Sequence, residues 1–469
     1  MTRGKRSEVS VKGTLMKLRL IAILIVFASA ISLPALDSVP KSEYRTRRVA
    51  LADKLNGGVA VVFAAEEPVL DFMPYRQDED FYYLTGWNEP GAALVIIGPG
   101  LETKTRLGDI VPAHGYREIL FLPARNLVTE KYTGMKMDAA TAGVAASTGF
   151  DTVMPMTALP EVMTKFLGED RRRAMSVWSQ LDSPPAKASV DFSAASLGIG
   201  TGIEPHDVRT LTMALRSVKS PAEIELLRKA SDASIASQLA GIRAIKPGVR
   251  ERTVAGIEIA KMMEEGSERP SYAPIVGSGA NSTTLHYADN SATMKAGDVV
   301  VIDAAGEYSM YASDITRTMP VDGKFTPRQR EVYDIVLGAQ RAAAAAFVAG
   351  KSKLGGVNQR GPEVTDTLDK VAYDYINTHG KDLHGEPLGK YFLHGLGHSV
   401  GINVHDPMDY SKPLDKGNVF TIEPGIYIPE EGIGVRIEDV FYVDQQGKLV
   451  DLIAKLPHEA DEIEAAMKH

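Results

Sequence analysis

Cysteine is absent from the 469-residue chain, which removes thiolate metal ligands, cysteine nucleophiles and disulfides together. Any metal the protein holds must sit on oxygen and imidazole donors, a set that favours harder divalent ions. An excess of positive charge is also missing. With 52 Lys and Arg against 60 Asp and Glu the net charge is −8, so no basic surface is available to hold a nucleic-acid backbone. There is no low-complexity tract, and beyond the N-terminal segment no apolar run is long enough to cross a bilayer. What remains is ordinary globular composition, 44% hydrophobic and 24% charged. The chain is long enough for two or three domains with their own cores.

The N-terminus reads as an address. Arg3, Lys5, Arg6, Lys12, Lys17 and Arg19 precede an apolar run from Leu20 to Ala28, and Ala28-Ser29-Ala30 supplies small residues at the cleavage positions. This is the layout of a secretory signal, with an apolar core short for a membrane span. It predicts a signal over residues 1–30, initiated at Met1 or Met16, and a mature periplasmic or secreted chain starting near Ile31. An uncleaved anchor reaching Leu36 is the alternative, and Ser32 and Pro34 interrupt it.

The charged stretch Ser42 to Leu55 has helical spacing, and GVAVVFAA (Gly58 to Ala65) reads as a buried strand. Apolar runs at Ala92 to Ile97 and Glu118 to Leu122, with helices over Ala139 to Thr148 and Leu159 to Phe166, give an α/β unit. Ser220-Pro221-Ala222-Glu223 combines an N-cap serine, proline at the first helical position and glutamate at the third. The helix it opens runs to about Ile245, and the domain boundary falls just before it, dividing residues 40–217 from 218–469. Further helical patterns cover Arg328 to Ala349 and Glu363 to His379.

The second half contains an internal echo. VVVIDAAGEYSMYASDITRTM places Asp303 and Asp314 on flanking strands, and FTIEPGIYIPEEGIGVRIEDV places Glu423 and Glu438 likewise. A helix pair followed by a hairpin with two inward acids, twice over, predicts a pseudo-twofold core with four converging acids. A carboxylate at the tip of an apolar strand is expensive unless paired or metal-bound. One such acid is ordinarily a salt bridge or a cap, and Arg436 is available to neutralise one. Four in one domain favour metal. HGLGHSVGINVHD adds His394, His398 and His405, and Gly395, Gly397 and Gly401 leave the backbone room for close approach. Its HxxxH spacing occurs in zinc peptidases, but there a glutamate follows the first histidine; here Gly395 does. Four acids and one histidine form the oxygen-dominated set that two manganese-like ions sharing carboxylates require.

In these motifs the second domain resembles the pita-bread metallopeptidases, the group that includes methionine aminopeptidase, prolidase and aminopeptidase P. The resemblance implies five ligands in chain order: Asp303 in IDAAGEY, Asp314 in SDITRT, His398 in HGLGHSVG, Glu423 in TIEPG and Glu438 in VRIED. PYRQDEDFYYLTGWNEPGA (Pro74 to Ala92) and SYAPIVGSGANSTTLHY are similar to aminopeptidase P. The implied architecture is an N-terminal creatinase-like α/β domain followed by a pita-bread, pseudo-twofold α+β catalytic domain. Creatinase itself does not keep the full ligand set.

By the same resemblance the chain is an Xaa-Pro aminopeptidase holding two divalent ions per chain, manganese first and cobalt or zinc as alternatives. A hydroxide shared by the ions attacks the carbonyl before proline. Glu423 moves its proton, His405 stabilises the oxyanion and His394 orients the substrate, while His286, His394, His405, Tyr427 and Arg436 line the pocket. Proline-containing peptides and other copies of the chain, as a dimer or tetramer, are the implied partners. One departure stands in EKYTGMK, where Tyr132 replaces the tryptophan often found in relatives. The rival readings are a prolidase, which needs a basic group for a dipeptide's carboxylate, a peptide-binding module without catalysis, and an ester hydrolase as side activity.

Overall fold

In a computed structural model, which describes residues 37–67, 75–99, 116–168, 176–182 and 205–468, the charged segment after Val39 forms helix α1 (Lys41–Lys54). GVAVVFAA forms β1 (Val59–Phe63). The expected signal over residues 1–30 lies outside the described residues. Among these, no helix is long and apolar enough to cross a membrane.

Helix α2 (Glu79–Thr85) is capped by Asp78, which accepts from the Phe81 N–H. Strands β2 (Ala93–Ile97) and β3 (Arg117–Leu122) continue an antiparallel run from β1. Helix α3 (Val144–Thr148) follows, then β4 (Val153–Pro155), α4 (Leu159–Gly168), β5 (Val177–Ser179), β6 (Pro205–Asp207) and α5 (Arg209–Arg216). The result is one mixed sheet ordered β4-β3-β2-β1-β5-β6. Every residue of β1 and β2 is buried, the mark of a sheet covered on both faces. Helix α3 is shorter than the spacing predicts. Asp138 and Thr141 close a side-chain-bonded turn, and Gly143 takes a left-handed φ of 78° before the first helical residue.

The C-terminal domain is built twice on one plan. Helix α6 (Pro221–Ala244) opens with a capping box in which Ser220 Oγ accepts from the Glu223 N–H and Glu223 accepts from the Ser220 N–H. Helix α7 (Glu251–Glu264) packs against it. After β7 (Arg269–Pro270) and β8 (Ile275–Ser278), β9 (Val299–Asp303) runs to the first acid. The chain then leaves as a hairpin, β10 (Gly306–Tyr308) and β11 (Tyr311–Ala312), and returns as β12 (Thr316–Pro320), with Asp303 opposite Thr316. Helix α8 (Pro327–Ala346) opens the second half with an equivalent box, Thr326 with Gln329, and α9 (Leu368–His379) packs on it. Strand β13 (Val419–Ile422), hairpin β14 (Gly425–Ile428) with β15 (Ile433–Arg436), and β16 (Asp439–Val443) then repeat strand, hairpin, strand; β17 (Leu449–Asp451) is added at the edge. Residues 363–367, predicted helical, are not: Thr367 is bridged to Lys353, so α9 starts at Leu368.

The halves meet at the acids. Thr316 and Glu438 exchange backbone hydrogen bonds of 3.4 and 3.1 Å, which brings the Asp303–Asp314 and Glu423–Glu438 segments side by side.

Candidate metal centre

Each acid sits where a strand ladder ends. Asp303 is the last residue of β9, Asp314 lies two residues before β12, and Glu423 and Glu438 flank the final pair, Ile422 with Asp439, of the β13–β16 ladder. All four side chains line a cavity of about 500 Å³ together with Tyr272, Ile275, Leu285, His286, His394, His398, Val404, His405 and Arg436.

His398 Nδ1 faces the Ser399 carbonyl at 3.2 Å, which assigns the ring proton there and turns Nε2 toward the acids. Nε2 lies 3.2 Å from Asp314 Oδ2, 3.4 Å from Glu423 Oε1 and 3.9 Å from Glu438 Oε1. One donor atom each from Asp314, His398 and Glu438 falls within a 4.8 Å cluster. Arg436 does neutralise one acid, donating to Asp303 Oδ2 at 2.6 Å while Tyr272 donates to Oδ1 at 2.5 Å. Glu438 Oε2 accepts from Thr316, and Glu423 Oε1 from Thr421.

The surplus of negative charge appears in the ionisations. Burial, and then its crowding by Asp314, Glu423 and Asp303, raises the Glu438 carboxyl well above its usual range. Burial pushes Glu423 up to about 7 against the pull of His398. Burial opposes charge on His398, but the carboxylates of Asp314 and Glu423 prevail and lift it to about 9. Three carboxylates beyond the Arg436 pair, held on hard oxygen donors with one imidazole nitrogen, are a set that divalent cations would neutralise. The residues therefore fit divalent cations.

A second acid–histidine trio, Asp439, Asp451 and His458, also clusters. There the Arg317 guanidinium already donates to Asp439 at 2.7 Å and lies 2.9 Å from His458 Nε2. A cation is in place.

The histidines differ in what they can offer. Arg436 Nη1 donates to the Tyr427 hydroxyl (2.9 Å), which lies 2.8 Å from His394 Nε2, and His394 Nδ1 lies 2.8 Å from the Gly395 carbonyl. Both nitrogens of His394 are thus engaged, and burial holds its pKa down to about 3. His394, expected among the catalytic residues, lines the cavity as a neutral ring whose two nitrogens already have partners. Tyr427, expected on the pocket wall, is 1% exposed and stands behind it, fixing that ring. Among the described residues no group hydrogen-bonds the ring nitrogens of His286 or His405, and both line the cavity. The His405 ring lies 4.0 Å from that of His398. Partial burial, then the neighbouring His398, lowers its pKa.

Gly397 has the close approach expected of it, since a Cβ there would sit 2.2 Å from the Thr421 carbonyl oxygen. Gly401 is similarly hemmed by Asp406, whereas Gly395 has room. Tyr132 is 86% exposed and does not line the cavity.

Sequence reasoning does not single out Tyr272, Thr316 or Thr421, nor two buried glutamines. Gln238 Nε2 donates to the carbonyls of Ala304 and Ile315 at 3.0 Å each. Gln340 Nε2 donates to those of Ile422 (3.1 Å) and Ile437 (3.4 Å) and to Asp439. The available signal is a polar residue at helical spacing from apolar ones, Ile235 and Ile242 in α6 and Val336 and Leu337 in α8.

Comparison with known proteins agrees with this geometry. Residues 225–445 match the model of metallopeptidase family M24, and residues 44–175 that of the aminopeptidase P N-terminal domain. The chain is 32% identical to the Xaa-Pro aminopeptidase of Escherichia coli K12, covering 92% of this chain and 99% of that one. It is 33% identical to Xaa-Pro aminopeptidase 3 of Homo sapiens, over 83% and 76% respectively. A solved structure of aminopeptidase P from E. coli superposes with a TM-score of 0.78 at 31% identity, covering 92% of this chain and 99% of that chain.

Proposed function

The chain belongs to the Xaa-Pro aminopeptidases of metallopeptidase family M24, and we infer that it releases the first residue of peptides whose second residue is proline, with Asp303, Asp314, His398, Glu423 and Glu438 as the metal ligands. The observation that carries this reading is the convergence of four carboxylates and one imidazole on a cavity that, among the described residues, has no uncommitted arginine or lysine. Among the described residues its one lining arginine or lysine is Arg436, held by Asp303, Thr316 and Tyr427. A prolidase needs a basic group for its dipeptide's carboxylate, and this arginine is taken.

When bound, the two divalent ions supply a Lewis-acid-activated water and polarise the scissile carbonyl. Asp303 and Asp314 would hold one ion and His398 and Glu423 the other, with Asp314 and Glu438 shared. Manganese suits four oxygens and one nitrogen without sulfur. Glu423, oriented by the Thr421 hydroxyl, accepts the attacking water's proton and returns it to the proline nitrogen as the C–N bond breaks. His405 donates to the carbonyl oxygen as negative charge develops on it. His394 offers its ring edge rather than a proton, a surface suited to the proline side chain. His286 presents a free nitrogen to the bound peptide.

The basic and apolar pattern of residues 1–30 supports export, so the mature chain is periplasmic or secreted; N-terminal sequencing of native protein should find a start near Ile31. Leu127, Val128, Tyr132 and Met135 are all more than 65% exposed, and large apolar side chains left in solvent support assembly into a homo-oligomer. The activity is tested by product analysis after manganese reconstitution. Ala-Pro-Ala should yield alanine, whereas Ala-Ala-Ala and N-acetylated Ala-Pro-Ala should remain intact. Equal release from Ala-Ala-Ala would remove the proline requirement.

A further inference from the structure

The segment PYRQDED belongs to the N-terminal domain, yet one of its side chains bonds the loop that carries His405 and a second reaches that loop through Arg216. Arg76 donates from Nη2 to the Ile402 carbonyl at 2.8 Å and from Nε to Glu307 at 2.8 Å. Asp80 accepts from Arg216 Nη1 at 3.0 Å, and the same guanidinium donates from Nη2 to Asp406 Oδ1 at 2.6 Å. Lys219 donates to Asp406 Oδ2 at 3.0 Å.

These four charged groups, Asp80, Arg216, Lys219 and Asp406, are each no more than 4% exposed. Two positive and two negative charges balance. A buried set of this kind is poor value as stability alone, since packed apolar residues serve as well, whereas it fixes one arrangement sharply. What it fixes is a tight loop. Asp406 donates its N–H to the Ser399 carbonyl at 2.8 Å, and its Oδ1 accepts from the Asn403 N–H at 3.2 Å. A Cβ at Gly401 would lie 2.6 Å from the Asp406 carboxylate. His405 is the residue before Asp406, and no hydrogen bond from a described residue holds its ring, so its placement depends on this backbone.

We propose that Arg76 and Asp80 of the N-terminal domain are positioning residues for His405, acting through Ile402 and through Arg216–Asp406. This rests on the reading that His405 contacts the reacting carbonyl. It gives the N-terminal domain a role in the chemistry of its own chain, and it accounts for a charged motif that the metal centre does not use.

The test is a double-mutant cycle on the metal-loaded, full-length enzyme with Ala-Pro-Ala. Arg76→Met should lower kcat about tenfold, within the range that a small misplacement produces, with KM within twofold and metal content unchanged. In the His405→Ala background the same substitution should change kcat by less than twofold, because the group it positions is gone. Arg269→Met is the control. It removes the interdomain bond from Arg269 to the Tyr75 carbonyl at 2.9 Å and the 3.5 Å ion pair of Arg269 with Glu307, leaves the Arg76–Ile402 bond in place, and should change kcat less than twofold. Asp80→Asn is the second probe and should follow Arg76→Met. An equal loss in both backgrounds, or no loss in either, overturns the proposal. A normal kcat in His405→Ala alone would instead overturn the role of His405.

Discussion

Gln238 and Gln340 do the same work in the two halves of the C-terminal domain. Each uses one side-chain amide to tie together the backbone of the two acid-bearing segments in its half. Gln238 bonds the carbonyls just after Asp303 and just before Thr316; Gln340 bonds those just before Glu423 and Glu438. The pseudo-twofold therefore extends to the residues that set the spacing of the acids.

Removing either clamp should loosen the site for its ions. Gln238→Leu and Gln340→Leu are each expected to weaken manganese binding at least tenfold, the usual size for a group supporting metal ligands. Isothermal titration of metal-free protein reads this directly, and wild-type affinity in both variants would show that the clamps are dispensable.

His405→Ala should reduce kcat by roughly 10² or more with metal content intact, as for the loss of one oxyanion donor. Turnover near the wild-type rate would exclude His405 from the chemistry.

The metal-free protein should take up two equivalents of manganese, cobalt or zinc and gain activity as it does. Glu438→Ala should lose ions and activity together, because Glu438 is assigned to both. Full activity with a single equivalent, none further binding, would rule out a dinuclear site.

Glu258 supplies a pH prediction away from the metal centre. It is wholly buried between α6 and α7, bonded to Ser237 and with no cation partner among the described residues, and burial pushes its pKa from 4.5 to about 8. The folded state therefore holds a proton that the unfolded state releases. Stability from this group is fully present below about pH 4.5 and falls by about 1.4 kcal/mol per pH unit up to about pH 8. Glu258→Gln should flatten the slope of unfolding free energy across that window, measured by urea denaturation. An unchanged slope would mean that Glu258 ionises freely.

Much of this was legible in the chain itself. The ligand motifs carry their own context, an apolar strand running into an acid, and the Ser220 capping box announces its helix from four adjacent residues. Other features depend on direction. His394 and His405 look alike in HGLGHSVGINVHD, but Tyr427 and the Gly395 carbonyl take both nitrogens of the first, while the second stays open to the cavity. Residue type gives no hint of that vector. Arg76 and Ile402 are separated by more than three hundred positions, and only the folded chain brings them to 2.8 Å.

The central claim is that this cavity serves peptides longer than two residues, because its one lining cation among the described residues is already spent on Asp303, Thr316 and Tyr427. The most direct test is kcat/KM for Ala-Pro against Ala-Pro-Ala at matched manganese. Preference for the tripeptide, with alanine and Pro-Ala as products, is the predicted result; strong preference for the dipeptide with little turnover of the tripeptide would make the enzyme a prolidase and contradict the account.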